Sequence, residues 1–320
     1  MFSLHIPHLN WPYPEPLPPL HTPGLNRLLR FGRYQARPQT GAAYCFEQLG
    51  IGLGSLYHEP YAFASPVWQQ AGMHSVQLLG AAALVVQPDE AEVLCHGLNA
   101  LYEQDGWRFA PLHPDLWTVC LPRPADWGAP CVLDALGQAD GTQRPQGRQQ
   151  TQWLQRQTEI QMWLHSHPVN TERQANGRPP INGLWLWDML PDTPPPAPPA
   201  LLGSDSLWAQ YSRTVTTAAP YDWAAWQAVA AEAAVPLAQT ALFLDDLSLA
   251  VSAADAYSYA ECLQQWDARF FTPLWQALQQ GSLSQLRLST DGEHGGECRV
   301  EGKTGWQFWR RKKVFAGRLL

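Results

Sequence analysis

Apolar residues recur along this chain at two periods. Trp153, Ile160 and Leu164 fall at i, i+7 and i+11, on one face of a helix whose Arg156, Gln157, Glu159 and Gln161 face water or a cleft. Pro168 biases His167 away from the helical region, so this helix is expected to end near His165. Asn170 is then placed to cap a short second helix, with Glu172 in its first turn and Gly177 as a left-handed stop. Pro179 and Pro180 prevent its continuation. Residues 181–187 follow, and Leu184, Trp185, Leu186 and Trp187 leave them no polar face. They read as a strand buried on both sides, which implies a sheet covered by helices.

The same reading extends outward. Residues 2–9 form a first strand, residues 12–23 a proline-rich loop, and Leu25, Leu28 and Leu29 a helical stripe before Gly32. Residues 35–57 hold one short helix between turns, and Gly50, Gly52 and Gly54 match no phosphate loop. Residues 75–79 read as a strand, and Pro88 opens a helix with Leu94, Leu98, Leu101 and Tyr102 on one face. Two strands, 107–112 and 116–121, complete a small α/β unit. Residues 122–150 form a polar linker, and residues 191–200, PDTPPPAPPA, an extended polyproline segment. Beyond it come a helix at 222–230, a strand at 241–244, a long amphipathic helix at 255–280 and a strand at 283–288.

Composition narrows the class. The 320 residues are 45% hydrophobic, enough to fill the core of one large domain with a smaller insert. Twenty-one Lys and Arg against 28 Asp and Glu give a formal charge of −7, which disfavours general binding to nucleic acid or anionic membrane. The 16 Trp and 29 Pro read as packing bulk and loop punctuation. Six scattered cysteines form no Cys-x-x-Cys pair, and no segment has the length and apolarity of a signal core or membrane span. A reduced, cytoplasmic protein without membrane association is expected.

The block EIQMWLHSHPVNTERQANGRPPINGLWLW, residues 159–187, resembles the signature of the bacterial RpfE-type regulatory protein family. That family is similar to archaeal-type cofactor-independent phosphoglycerate mutases of the alkaline-phosphatase-like superfamily. SPVWQQAGMHSVQLLG from Ser65 and FLDDL at residues 243–247 agree with it. The resemblance implies an α/β fold: an alkaline-phosphatase-like sheet covered by helices, built from residues 1–60 and 150–320, with a small inserted α/β subdomain and linker at 61–149.

It also implies where chemistry would sit and where it is broken. The superfamily ends its first strand in a metal-binding aspartate, whereas this chain offers His8, Leu9 and Asn10. The family's Asp-Pro-Val-His is Ser65-Pro66-Val67-Trp68 here, and Asp188-Met189 stand where it has small, glycine-rich residues. Asp245 and Asp246 follow an apolar strand and could bind a divalent cation or start a helix. Asp291 and His294 approximate a late metal-binding Asp-His pair, but Gly292 and Glu293 separate them, as in a hairpin turn. No metal or other cofactor is therefore expected, the alternative being Mn, Mg or Zn on these residues.

The implied function is that of a non-catalytic, degenerate relative, a pseudoenzyme with a regulatory, ligand-binding or partner-binding role. His165, His167, Asn170, Arg173 and Asn182 are the ligand candidates, with Arg173 suited to a small phosphorylated or carboxylate group, or else they brace the turn. A protein partner is a further possibility. The alternatives are a metal-dependent phosphoglycerate mutase or phosphatase, and a regulator acting directly on nucleic acid through the aromatic and basic end WQFWRRKKVFAGRLL. Nucleic acid is not expected, because one basic stretch on an acidic chain reads first as a solvated or ion-paired terminus.

Overall fold

The computed structural model describes residues 1–51, 61–71, 76–136, 145–190, 197–307 and 309–319. The chain divides into two compact units, Met1–Gly52 with Asp192–Leu320, and Leu53–Pro191. Strand β1 (Phe2–His5), helix α1 (Pro23–Phe31), β2 (Arg33–Ala36) and α2 (Gly41–Leu49) open the first unit. The second unit contains β3 (Tyr61–Ala71), β4 (Val76–Leu79), α3 (Ala81–Leu84), α4 (Pro88–Leu101), β5 (Arg108–His113), β6 (Leu116–Cys120), α5 (Val132–Ala135), α6 (Gln150–His165), α7 (Pro168–Ala175) and β7 (Gly183–Trp187). The chain returns to the first unit through β8 (Leu201–Gly203), β9 (Thr216–Thr217), α8 (Trp223–Glu232), β10 (Thr240–Phe243), α9 (Leu247–Ser252), α10 (Ala256–Trp266), α11 (Thr272–Gln280), β11 (Gln285–Thr290) and β12 (Gly296–Glu301).

The first unit is built on a seven-stranded sheet in the order β2-β12-β11-β1-β10-β8-β9. Strands β11, β1, β10, β8 and β9 run parallel, and β12 and β2 add antiparallel pairs at one edge. Alternation along β1 explains its two faces. Phe2 and Leu4 join a buried cluster with Leu28 of α1, Trp223 of α8, Leu263 of α10 and Leu274 of α11. Ser3 and His5 point the other way, where Tyr44 of α2 packs edge-on against His5. Helices therefore cover both faces, as a mostly parallel sheet requires.

The single helix expected at 255–280 is interrupted. Between α10 and α11 lies a π-helical turn, Asp267–Phe271. Pro273 has no N–H to continue the ladder, and the widened turn carries the Asp267 carboxylate to the amino end of α1, where it accepts from Gly24 N (3.0 Å) and Leu25 N (2.8 Å). Gly24 allows this approach, because a Cβ there would lie 2.4 Å from Thr272 N.

The second unit has an antiparallel sheet in the order β4-β3-β6-β5, with β7 added against β3. Here the structure departs from the expected boundary. Residues 150–190 belong with the inserted unit, because β7 pairs with β3 from Phe63↔Trp187 to Val67↔Gly183. An all-apolar strand says that both faces are covered but not which sheet it joins. Strand β7 is buried at all five positions and α6 packs on it, with Trp153 Nε1 donating to Leu186 O at 2.7 Å. Gly52, Gly54 and residues 191–196 of the proline-rich segment lie outside the described residues. Among the described residues, no helix is long and apolar enough to cross a membrane.

Candidate functional site

The central block closes on itself. Pro168 occupies the first turn of α7, so the residue before it becomes the cap. His167 has extended backbone, and its Nδ1 accepts from Val169 N at 3.2 Å. The expected cap, Asn170, instead lies inside the helix and is buried. Its Nδ2 donates to Leu164 O (2.9 Å) and Ile181 O (2.8 Å), and its Oδ1 accepts from Ile181 N (2.8 Å). One carboxamide thereby ties the end of α6 to the approach to β7.

Arg173 is fully buried. Its guanidinium donates to Pro179 O at 2.8 Å, to the Glu90 carboxylate at 2.6 Å and to Leu84 O. Glu90 also takes Arg178 at 3.0 Å and accepts from Gln87 N, closing the capping box at the start of α4. Asn182 pairs through both amide atoms with the backbone of Gln69 (2.6 and 2.9 Å). His165 is exposed. The five candidates therefore have separate partners, with Arg173 buried against Glu90 and His165 exposed. The positions that depart from the resembling family also have structural partners. Ser65 Oγ accepts from Trp187 Nε1 (3.2 Å), and the Asp188 carboxylate accepts from the N–H groups of Trp127, Gly128 and Ala129.

A different set gathers in the first unit, at the carboxyl ends of the parallel strands, where open α/β sheets place their ligands. After β1 comes His8, in the left-handed region at φ 60°. Its N–H donates to Asp291 Oδ1 at 2.6 Å, and its Nδ1 lies 3.8 Å from Asp291 Oδ2. Asn10 donates to His294 O (2.8 Å) and accepts from Leu319 N (3.0 Å). Asp245, after β10, is recessed. Burial raises its pKa and the charge of Asp246 raises it further, while Ser206 and His8 oppose the shift. Asp246 occupies the cap position of α9 and is exposed. Residues 291–295 form the turn between β11 and β12, with Gly292 at φ 92° and His294 exposed. Among the described residues, no group of three or more His, Cys, Asp or Glu is arranged to hold a metal ion.

Beneath α2 lies a polar cluster that hydrophobic patterning does not reveal. His5 Nδ1 is 2.7 Å from Ser289 Oγ, Tyr44 OH is 2.9 Å from the same oxygen, and Arg287 lies 3.4 Å from His5 Nε2. His5, Ser289 and Tyr44 are each at most 2% exposed, so the serine–histidine contact is enclosed by the fold. Its signal in the sequence is slight: His5 and Ser289 are polar positions of the short alternating strands FSLH and QLRLST.

No protein-family model matches the sequence, and no curated protein matches it. Among solved structures, the chain is similar to the PH0037 protein from Pyrococcus horikoshii, with a TM-score of 0.51 and 12% identity over 99% of this chain and 91% of that one. It is also similar to a cofactor-independent phosphoglycerate mutase from Thermoplasma acidophilum, with a TM-score of 0.42 and 14% identity over 99% and 94%. The first likeness supports the mixed α/β fold.

Proposed function

We propose that this chain is a non-catalytic relative of phosphoglycerate-mutase-like proteins, related to the RpfE-type regulators, that keeps the α/β scaffold for a regulatory or partner-binding role. The observation that carries this reading is the hydrogen bond from His8 N to Asp291. A metal-dependent phosphomutase needs carboxylates and imidazoles aimed into the crevice, so that two metal ions polarise the phosphoryl group and activate a serine. Here Asp291 accepts from a backbone N–H, and Asn10 bonds His294 O and Leu319 N. Burial raises the pKa of the Asp245 carboxyl, and the side chain of Ser206 opposes that rise.

A metal-dependent mutase or phosphatase is the second reading, favoured by the placement of His8, Asp245 and Asp291 after the carboxyl ends of β1, β10 and β11. Assays on phosphoglycerates and on a generic phosphomonoester, with added Mn, Mg or Zn, separate the two. Turnover equal to that of Asp245→Asn is expected. Metal-dependent turnover lost in Asp245→Asn overturns the non-catalytic reading.

A further inference from the structure

The basic end of the chain is fastened to α1. Arg310 donates to Phe31 O at 2.7 Å, the carbonyl of Arg310 accepts from Arg30 Nε at 2.9 Å, and Phe315 N donates to Asn26 Oδ1 at 2.7 Å. Residues 310–315 therefore run beside residues 26–32. Burial raises the pKa of the Cys298 thiol of β12, and the charge of Lys313 offsets part of that rise. The apposition adds Arg27, Arg30 and Arg33 to the run 310–313, seven cations in all, while residues 23–36 and 302–319 contain no Asp or Glu. On the adjoining β12, Glu297 is enclosed by Arg37, Arg287 and Arg299. Beside the strip stand Trp306 and Trp309, 66% and 59% exposed, with ring centroids 5.1 Å apart and planes inclined by 73°.

We infer that this strip binds single-stranded nucleic acid without sequence preference, the exposed cations Arg27, Arg33, Arg311, Lys312 and Lys313 taking phosphates and the indoles stacking on bases. The sequence alone argued against such binding because it showed one basic stretch. The fold extends that stretch by laying it beside Arg27 and Arg30 of α1, next to Arg33 of β2. Cationic tracks flanked by aromatic faces fit this ligand, since every base has a face to stack and the backbone supplies regularly spaced charge. An acidic peptide would use the cations but not the flat indole faces. The remainder of the chain carries a formal −14, the whole-chain −7 less the strip's +7. A duplex or an anionic membrane presents its charge over a broader face than the strip, whereas a flexible single strand can follow the strip alone.

The test is fluorescence anisotropy with a labelled oligothymidylate of about 15 nucleotides, at several salt concentrations, using the full chain. Saturable binding with tryptophan quenching is expected. Replacing Arg311, Lys312 and Lys313 together by Ala should weaken binding roughly tenfold or more and flatten the salt slope by about 2. Trp306→Ala with Trp309→Ala should remove the quenching and weaken binding about tenfold while leaving the salt slope in place. The substituted side chains are on the surface, and unchanged thermal unfolding confirms that each variant folds. No binding at low salt overturns the inference, as does binding unaltered in both variants. Equal or tighter binding of duplex DNA, anionic vesicles or polyglutamate also overturns it.

Discussion

Asp291 holds the backbone N–H of His8 at 2.6 Å across 283 residues of sequence. His8 sits at φ 60°, a conformation costing roughly 1–2 kcal/mol for a residue with a side chain. The buried carboxylate offsets that cost and fixes the chain as it leaves β1. Asp291→Ala should therefore destabilise the protein by about 1–3 kcal/mol, because a part-buried N–H loses its acceptor. Asp291→Asn, which keeps an oxygen there, should cost less. Urea unfolding of both variants checks the order, and equal losses would show that the hydrogen bond is not what matters.

Arg173 and Glu90 join α7 to α4 in the second unit. Removing one partner of a buried pair leaves the other charge without compensation, so Arg173→Ala should cost about 3–5 kcal/mol. If the residue is a brace, phosphorylated three-carbon acids, sugar phosphates and nucleotides should shift the melting temperature of neither wild type nor variant. A ligand that stabilises wild type, with stability little changed in the variant, would restore Arg173 as a binding residue.

His5 gives the first unit a pH dependence. Burial, with the nearby positive charge of Arg287, pushes its imidazole well below the ordinary range, so the folded state holds it neutral. The unfolded chain takes up a proton below about pH 6.5. The contribution is thus complete above that value and is lost as pH falls through it, at up to about 1.4 kcal/mol per pH unit. Urea midpoints for wild type and His5→Gln should converge between pH 7.5 and 5.5. A constant gap would show that His5 does not titrate in this window.

How much was readable followed from the range of each interaction. The stripe of Trp153, Ile160 and Leu164 and the stripe of Leu25, Leu28 and Leu29 are local, and both mark helices. The pairing of β7 with β3 is not local, and an all-apolar GLWLW carries no mark of its partner. The cap of α7 was nearly legible, since Pro168 in the first turn points to His167, but the capping preference of Asn170 masked it. Asp267 could not be found from sequence, because its acceptor role depends on an α1 terminus more than 240 residues away. The same holds for His8 with Asp291, whose residue types were noticed separately but whose contact is made by the parallel order of β1 and β11.

Asp115 predicts a pH effect of the opposite sign in the second unit. It sits in the turn between β5 and β6, where its Oδ1 is buried without a hydrogen-bond partner. Burial raises its pKa to about 6, against the opposing charge of Arg173 and a backbone N–H from Val86. His113 lies 3.6 Å away, but burial lowers its pKa, so it supplies little positive charge near neutrality. The folded state therefore holds a proton on Asp115 at pH values where the unfolded chain has released it. Between about pH 4 and 6 this group favours folding less as pH rises, and above 6 the full penalty of a buried, part-satisfied carboxylate applies. Asp115→Asn keeps the size and the acceptor oxygen while removing the charge. It should stabilise the protein at pH 7.5 by about 1–3 kcal/mol, and the gain should vanish near pH 4. Urea unfolding at the two pH values measures it. A loss of stability in Asp115→Asn at pH 7.5 would mean that attraction to Arg173 outweighs burial, and that the carboxylate is a charged member of the Arg173–Glu90 brace.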